Sequence, residues 1–338
     1  MTDLATTPDT SARPTSRGSQ DVELRLEQHR VELTAYCYRM LGSAFEAEDA
    51  VQETLVRAWR SLDHFEGRAA LRSWLYRIAT NVCLDMLNSR QHRARPMDLS
   101  PSSTADSTLA PGLPEVTWIE PIPDSRVVST GDDPADVAVA RDTVRLAFVA
   151  ALQHLPPRQR AVLILREVLR WKATEVSELL DTTVASVNST LQRARATLAD
   201  NNPAATDTVA PMDDAQRALL ARYVDAFERY DLDSLTALLH EDATLSMPPY
   251  NLWLRGPVEI SRWLAGPGAE CRGSRLIPVT ANGSPAFGQY RPSGPGGRHE
   301  PWALQVIEVS AGRIVGFNAF LDTARMFPLF GLPVRLEP

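Results

Sequence analysis

Between Thr183 and Leu198 the chain carries Ala185, Ser186, Asn188, Ser189, Gln192, Arg193 and Arg195 on one side of a helical repeat. Hydroxyls and side-chain amides are groups that reach base edges, and arginines bind guanine or phosphate. The opposite side repeats Val187, Leu191, Ala194 and Leu198 in the four-three-four spacing of a buried stripe. Upstream, residues 173–180 place Val176, Leu179 and Leu180 on one side, and Asp181-Thr182-Thr183 breaks the two patterns apart. Thr183 suits the N-cap, where its hydroxyl accepts a free N–H of the first turn. Two short helices joined by such a turn make a helix-turn-helix, whose second helix lies in the major groove of DNA. An ordinary helical hairpin with a solvated face has the same pattern, so its surroundings decide.

A second set of residues suits unpaired nucleic acid. Arg72, Arg77 and Asn81 interleave with Trp74 and Tyr76, and Arg90, Arg93 and Arg95 follow. Aromatic faces stack on splayed bases while arginines hold phosphates. The competing reading makes the aromatics core and the arginines solubilising. Leu75, Ile78, Ala79, Val82 and Met86 supply the buried stripe of a helix over 71–91. Before it, a helix over 44–62 buries Ala47, Ala50, Val51, Thr54, Leu55 and Ala58 and shows Glu46, Asp49, Gln52, Glu53 and Val56 outward. Read alone, that acidic face is a solvated one. A first helix over 22–41 ends at Gly42, a natural C-cap.

The net charge of −7 over 338 residues looks wrong for a nucleic-acid binder until it is divided along the chain. Residues 96–137, rich in Pro and Ser, carry a net −7 by themselves, whereas 66–95 carry +4 and 138–200 carry +3. The basic blocks are where DNA would sit. The acidic stretch has too little to bury for a core of its own, apart from the apolar island TWIEPIPDSRV over 117–127. Residues 1–20 are expected to be disordered. No apolar run approaches the ~20 residues that span a bilayer, and the N-terminus has no signal-peptide core. Cys37, Cys83 and Cys271 form no Cys-x-x-Cys, which suggests buried thiols in a reducing cytoplasm. The six histidines lack ligand spacing, so neither a metal nor a cofactor is expected.

Taken together, HRVELTAYCYRMLGSAFEAEDAVQETLVRAW, RSWLYRIATNVCLDML and LPPRQRAVLILREV resemble the sigma-70 family of RNA polymerase initiation factors, most closely the small extracytoplasmic-function group. The resemblance implies a region-two domain over 21–95 and a region-four domain over 138–200, both all-α, joined by the acidic linker 96–137. It implies core RNA polymerase, through its β and β′ subunits, and promoter DNA as partners. Asp49, Gln52 and Glu53 match residues that grip the polymerase. Arg72, Trp74, Tyr76, Arg77, Asn81 and Asp85 match the segment that opens the −10 element, and Ser186, Ser189, Gln192 and Arg193 match the face that reads the −35 element. The linker is either a plain spacer or a nucleic-acid mimic reaching the polymerase cleft.

After a break over 201–211, a domain over 212–338 begins with a helix burying Leu219, Leu220, Tyr223, Val224 and Phe227, then a helix over 232–239. Strands follow over 276–280, 286–291, 303–310 and 313–321, with Ala311-Gly312 as a hairpin turn. This α+β pattern, with HEDATLSMPP and LWLRGPVEISRWL, resembles the SnoaL-like cone. Tyr223, Phe227, Met247, Trp253, Trp263, Trp302 and Phe320 are candidates to line a pocket for a small ligand, with Asp225, Gln305 and Asp322 as polar groups. An aspartate in an apolar pocket has a raised pKa and suits a general base. The favoured expectation is a regulatory domain that contacts the sigma domains, not an enzyme. A bifunctional protein with a catalytic pocket, and a repressor using only its helix-turn-helix, are the alternatives. The apolar tail RMFPLFGLPV is either a docking strand or packs on its own domain.

Overall fold

The computed structural model describes residues 23–62, 70–88, 92–129, 133–201 and 213–337, with backbone alone at 200 and 201. The expectations for 1–20, Arg90, Gln91 and 202–211 lie outside these residues.

Three helices form the first module: α1 (Arg30–Leu41), α2 (Ala44–Arg60) and α3 (Leu71–Leu87). Gly42 takes φ +71°, which a side chain would resist, and its N–H closes α1 onto the Tyr38 carbonyl. Ser43 then caps α2, its hydroxyl accepting the Glu46 N–H at 3.2 Å. Ala47, Ala50 and Ala58 are buried along α2, small enough to let α1 and α3 approach closely. The continuous helix starts at Arg30 instead of residue 22, because the chain turns at Gln28 and His29.

The second module contains α4 (Pro134–Asp142), α5 (Leu146–Gln153), α6 (Pro157–Leu163), a π-helical turn Ile164–Val168, α7 (Ala173–Leu179) and α8 (Val184–Asn201). Asp181 adopts φ +49° and the Thr182 N–H reaches the Ser177 carbonyl at 2.9 Å, which ends α7. Thr183 caps α8 through a 3.1 Å bond from the Ser186 N–H. Val187, Leu191 and Ala194 are buried, as the stripe predicts, and Leu198 is half-buried.

The third module packs α9 (Asp214–Arg229), the single turn α10 (Leu232–Thr236) and α11 (Pro257–Ala265) on a six-stranded sheet. Its strands are β1 (Leu239–Ser246), β2 (Trp253–Arg255), β3 (Arg275–Ala281), β4 (Ser284–Arg291), β5 (Glu300–Ser310) and β6 (Arg313–Phe320), in the order β2-β1-β6-β5-β4-β3. Only β1 and β6 run parallel; the other neighbours are antiparallel. The expected helix over 232–239 is cut short, because Leu239 already belongs to β1. Phe287, Ile307 and Phe317 meet α9 on one face of the sheet. On the other face Tyr290, Leu304, Val306 and Phe320 join Met326, Phe327 and Leu332 of α12 (Thr323–Leu329) and the tail. The tail therefore packs on its own domain. This second face is continuous with the core of both helical modules.

Residues 96–129 have no core of their own, yet they are laid down along their length and do not hang free as a spacer. Ser103 and Leu113 N–H groups donate to the carbonyls of Trp253 and Pro249, at 2.8 and 2.9 Å. Ala94 and Trp118 pair as a bridge, and the Glu120 N–H occupies the Gly42 carbonyl at 3.0 Å. Trp118, Ile119 and Ile122 are buried. The apolar island is thus the footing of a strap between the first and third modules.

Candidate nucleic-acid interface

On α2, Asp49, Gln52 and Glu53 are exposed on one side, with Glu53 held by Arg57 at 2.6 Å. The same side carries Trp59, a tryptophan 58% exposed. Residues 52, 56 and 59 follow helical spacing, so the acidic face also carries an exposed aromatic that charge patterning alone passed over.

On α3 the expected strand-binding residues divide. Arg72, Arg77, Asn81 and Asp85 are exposed and Trp74 is half-buried, but Tyr76 is fully buried. Its ring meets Tyr36 edge-on, with centroids 5.2 Å apart, and Trp171 of the second module at 5.0 Å. Arg72 lies over both the Tyr76 and Trp171 rings, at 5.2 and 5.6 Å, and donates to Glu32 at 2.7 Å. Arg77 donates to the Glu178 carbonyl at the end of α7, at 2.8 Å. Tyr76 is therefore not open to a base in this conformation, because the helix-turn-helix module sits on it.

The recognition face is uncovered. Ser186, Asn188, Ser189, Gln192 and Arg193 are exposed, and Arg195 pairs with Glu167 at 2.5 Å. Arg193 reaches the Thr190 hydroxyl on its own helix, at 3.2 Å. This leaves hydroxyls, amides and a guanidinium displayed on a rigid helix, the composition that reads a major groove.

Buried arginines hold the two helical modules together. Arg160 of α6 donates to the Met40 carbonyl of α1, to the Gln153 side chain at 2.6 Å and to the Gln153 and Leu155 carbonyls at 3.1 Å. Arg39 of α1 reaches the Thr143 hydroxyl at 2.7 Å and its carbonyl at 3.1 Å. Loss of hydration lowers both guanidinium pKa values to about 10. Both are still charged at neutral pH, and their many carbonyl partners carry that burial.

The third module adds a key. Asn282-Gly283, at φ +55° and +68°, turns β3 into β4 in the geometry of a type I′ hairpin. The Asn282 amide is buried and donates to the Tyr38 hydroxyl of α1 and to the Val144 carbonyl ahead of α5, both at 2.6 Å. Its carbonyl oxygen accepts the strap's Ile122 N–H at 3.0 Å, and Gly283 donates to Asp124 at 2.8 Å. One side chain thus touches both helical modules and the strap. Sequence reading places strands over 276–280 and 286–291 but gives no sign of this turn's partners.

The expected aromatic pocket is not assembled. Tyr223 and Phe227 stack with Phe287 and Phe317 and fill the cone. The Tyr223 hydroxyl donates to Gln305 at 2.6 Å, and Gln305 donates to Gln289 at 2.8 Å. Trp253 lies on the edge strand β2 and donates to the Ser100 carbonyl, whereas Trp302 on β5 lies under the Arg291 guanidinium. Strands β1 and β6 separate the two. Asp225 is exposed and paired with Arg229 at 3.0 Å, so it lacks the apolar setting of a general base. Asp322 is half-buried near Arg325, at 3.8 Å. Phe320 lines a cavity beside Asp322 and the strap.

Comparison with known proteins agrees with this division into modules. Residues 26–93 match the family model for Sigma-70 region 2, residues 145–198 that for Sigma-70 region 4, and residues 220–317 that for the SnoaL-like domain. The chain is 44% identical to the ECF RNA polymerase sigma factor SigG of Mycobacterium tuberculosis, over 99% of this chain and 90% of that protein. It is 30% identical to SigJ of the same organism, over 71% of this chain and 70% of the relative. The crystal structure of SigJ superposes with a TM-score of 0.59 at 24% identity, covering 93% of this chain and 99% of that one, which shows a shared fold. The chain belongs to the extracytoplasmic-function family of RNA polymerase sigma factors, as a member whose two sigma regions are followed by a SnoaL-like domain.

Proposed function

We propose that the chain binds core RNA polymerase through the acidic α2 face, directs it to promoters through the α3 and α8 surfaces, and is held closed when free. The burial of Tyr76 beneath Trp171 carries the last part. The α3 segment assigned to the −10 element and the helix-turn-helix assigned to the −35 element pack on each other, so promoter binding requires them to part. Arg39, Arg160 and the Asn282 hairpin join the same two modules elsewhere, which gives the SnoaL-like domain a restraining role.

Asp49, Gln52 and Glu53 take the polymerase β′ subunit. Arg72, Trp74, Arg77, Asn81 and Asp85 take the opened −10 strand, joined by Tyr76 after opening. Ser186, Ser189, Gln192 and Arg193 take the −35 duplex. The role is not catalytic and is exercised in the cytoplasm, where the polymerase is. A filled cone and an exposed, paired Asp225 favour regulation over turnover. The test is a fluorescence distance between labels on α3 and α8, measured free and with core polymerase. Separation on adding polymerase supports the reading, and an unchanged distance with polymerase bound contradicts it.

A further inference from the structure

Where the cone of the third module is filled, open space remains beside it, under the strap. A cavity of about 210 Å³ lies between the strap and the ends of β6 and α12, with apolar walls from Trp118, Pro249, Phe320 and Met326. An apolar cavity of about 150 Å³ admits benzene, so this one accepts a body the size of indole.

Its charged groups are all of one sign. Glu115, Glu120 and Asp322 line it, and no lining residue is a cation. The nearest guanidinium, Arg325, is shared: it touches Glu115, lies 3.3 Å from Glu120 and 3.8 Å from Asp322, and stacks on the Phe45 ring at 4.0 Å. Arg93 stands 3.9 Å from Glu120 but is bound at 2.7 Å to Glu46. Four carboxylates therefore face two guanidiniums. Burial raises the Glu120 pKa to about 7, outweighing both arginines and the Ser43 hydroxyl.

We propose that this cavity is a binding site for a small aromatic amine, its ring against Trp118, Pro249, Phe320 and Met326 and its ammonium among Glu115, Glu120 and Asp322. One wall belongs to the strap and the other to the SnoaL-like domain, so the occupant touches both. The proposal goes beyond the promoter assignments and does not depend on them.

Titration calorimetry on the full chain tests it, with three indoles of nearly equal size: tryptamine, neutral indole-3-ethanol and anionic indole-3-acetate. Tryptamine is expected to bind at least about tenfold more tightly than either of the others. The half-exposed pair Glu115→Gln/Asp322→Asn should weaken tryptamine about tenfold without changing the melting temperature. Leu321→Trp, which fills the cavity from a half-buried position, should abolish binding. Equal binding of the three indoles, binding that survives Leu321→Trp in a folded protein, or no tryptamine binding at millimolar concentration would each overturn the proposal.

Discussion

The Trp171 ring packs on Tyr76 with centroids 5.0 Å apart and planes inclined at 57°, so region four covers an aromatic of the α3 segment proposed to open the −10 element. Trp171 is itself nearly buried, and Arg72 spans both rings. Removing the indole should therefore cost stability and open the −10 surface together. For Trp171→Ala the expected loss is about 3 kcal/mol in denaturant unfolding, within the range for a buried tryptophan. Binding of a labelled single strand bearing the −10 sequence should tighten in the same variant. Weaker or unchanged strand binding by a folded variant would refute the covering role.

The α2 face should behave as an interface with one anchor. Asp49→Ala and Gln52→Ala remove exposed groups and should leave the melting temperature within about a degree, since surface changes of this kind lie within ±0.5 kcal/mol. Trp59→Ala should weaken core polymerase binding more than either, by about 2 kcal/mol, as expected of an aromatic hot spot. Surface plasmon resonance on immobilised core enzyme checks the order; three variants with unchanged affinity would remove the face from the interface.

The helical modules and the recognition face are legible in the sequence for a plain reason. A buried stripe of period 3.6 forces the opposite side outward, so exposure at Ser186, Ser189 and Gln192 follows from Val187, Leu191 and Ala194. The Ala311-Gly312 turn is legible from Gly312, which accepts φ +70°, although Ala311 takes +48° against its own preference. Tyr76 and Asn282 are not legible in this way. The cover on Tyr76 comes from Trp171, and Asn282 meets Tyr38 across 244 positions of sequence. Strand β1 was hidden for a related reason: the polar run His240-Glu241-Asp242 hides a strand whose neighbour β6 lies far along the chain.

Asn282 should be the most sensitive hairpin position. Asn282→Gly keeps the turn, since glycine accepts positive φ, but leaves the Tyr38 hydroxyl, the Val144 carbonyl and the Ile122 N–H without this partner. The expected loss is about 2–3 kcal/mol, typical of buried groups stripped of hydrogen bonds. Limited proteolysis should then cut within 120–130 before it cuts the α1–α3 bundle. An unchanged cleavage pattern would mean that the hairpin does not tie the modules.

Glu120 predicts how stability depends on pH. Burial, the largest influence, raises its pKa from 4.5 to about 7 in the folded chain. Between those values the folded state holds a proton that the unfolded state has released. Its contribution is therefore present below pH 4.5 and lost as pH rises toward 7, a change of roughly 3 kcal/mol. Asp124, whose pKa burial also raises, acts in the same direction. Denaturant unfolding should show stability falling from pH 5 toward neutrality, and Glu120→Gln should flatten that slope. A slope identical in the variant would remove Glu120 as its cause.

In vitro transcription with core RNA polymerase tests the central claim most directly. With the full chain added, initiation should appear at a defined set of start sites that core enzyme alone does not use, and Ser189→Ala/Gln192→Ala should reduce initiation at those sites. Transcripts identical to those of core enzyme alone would contradict the account.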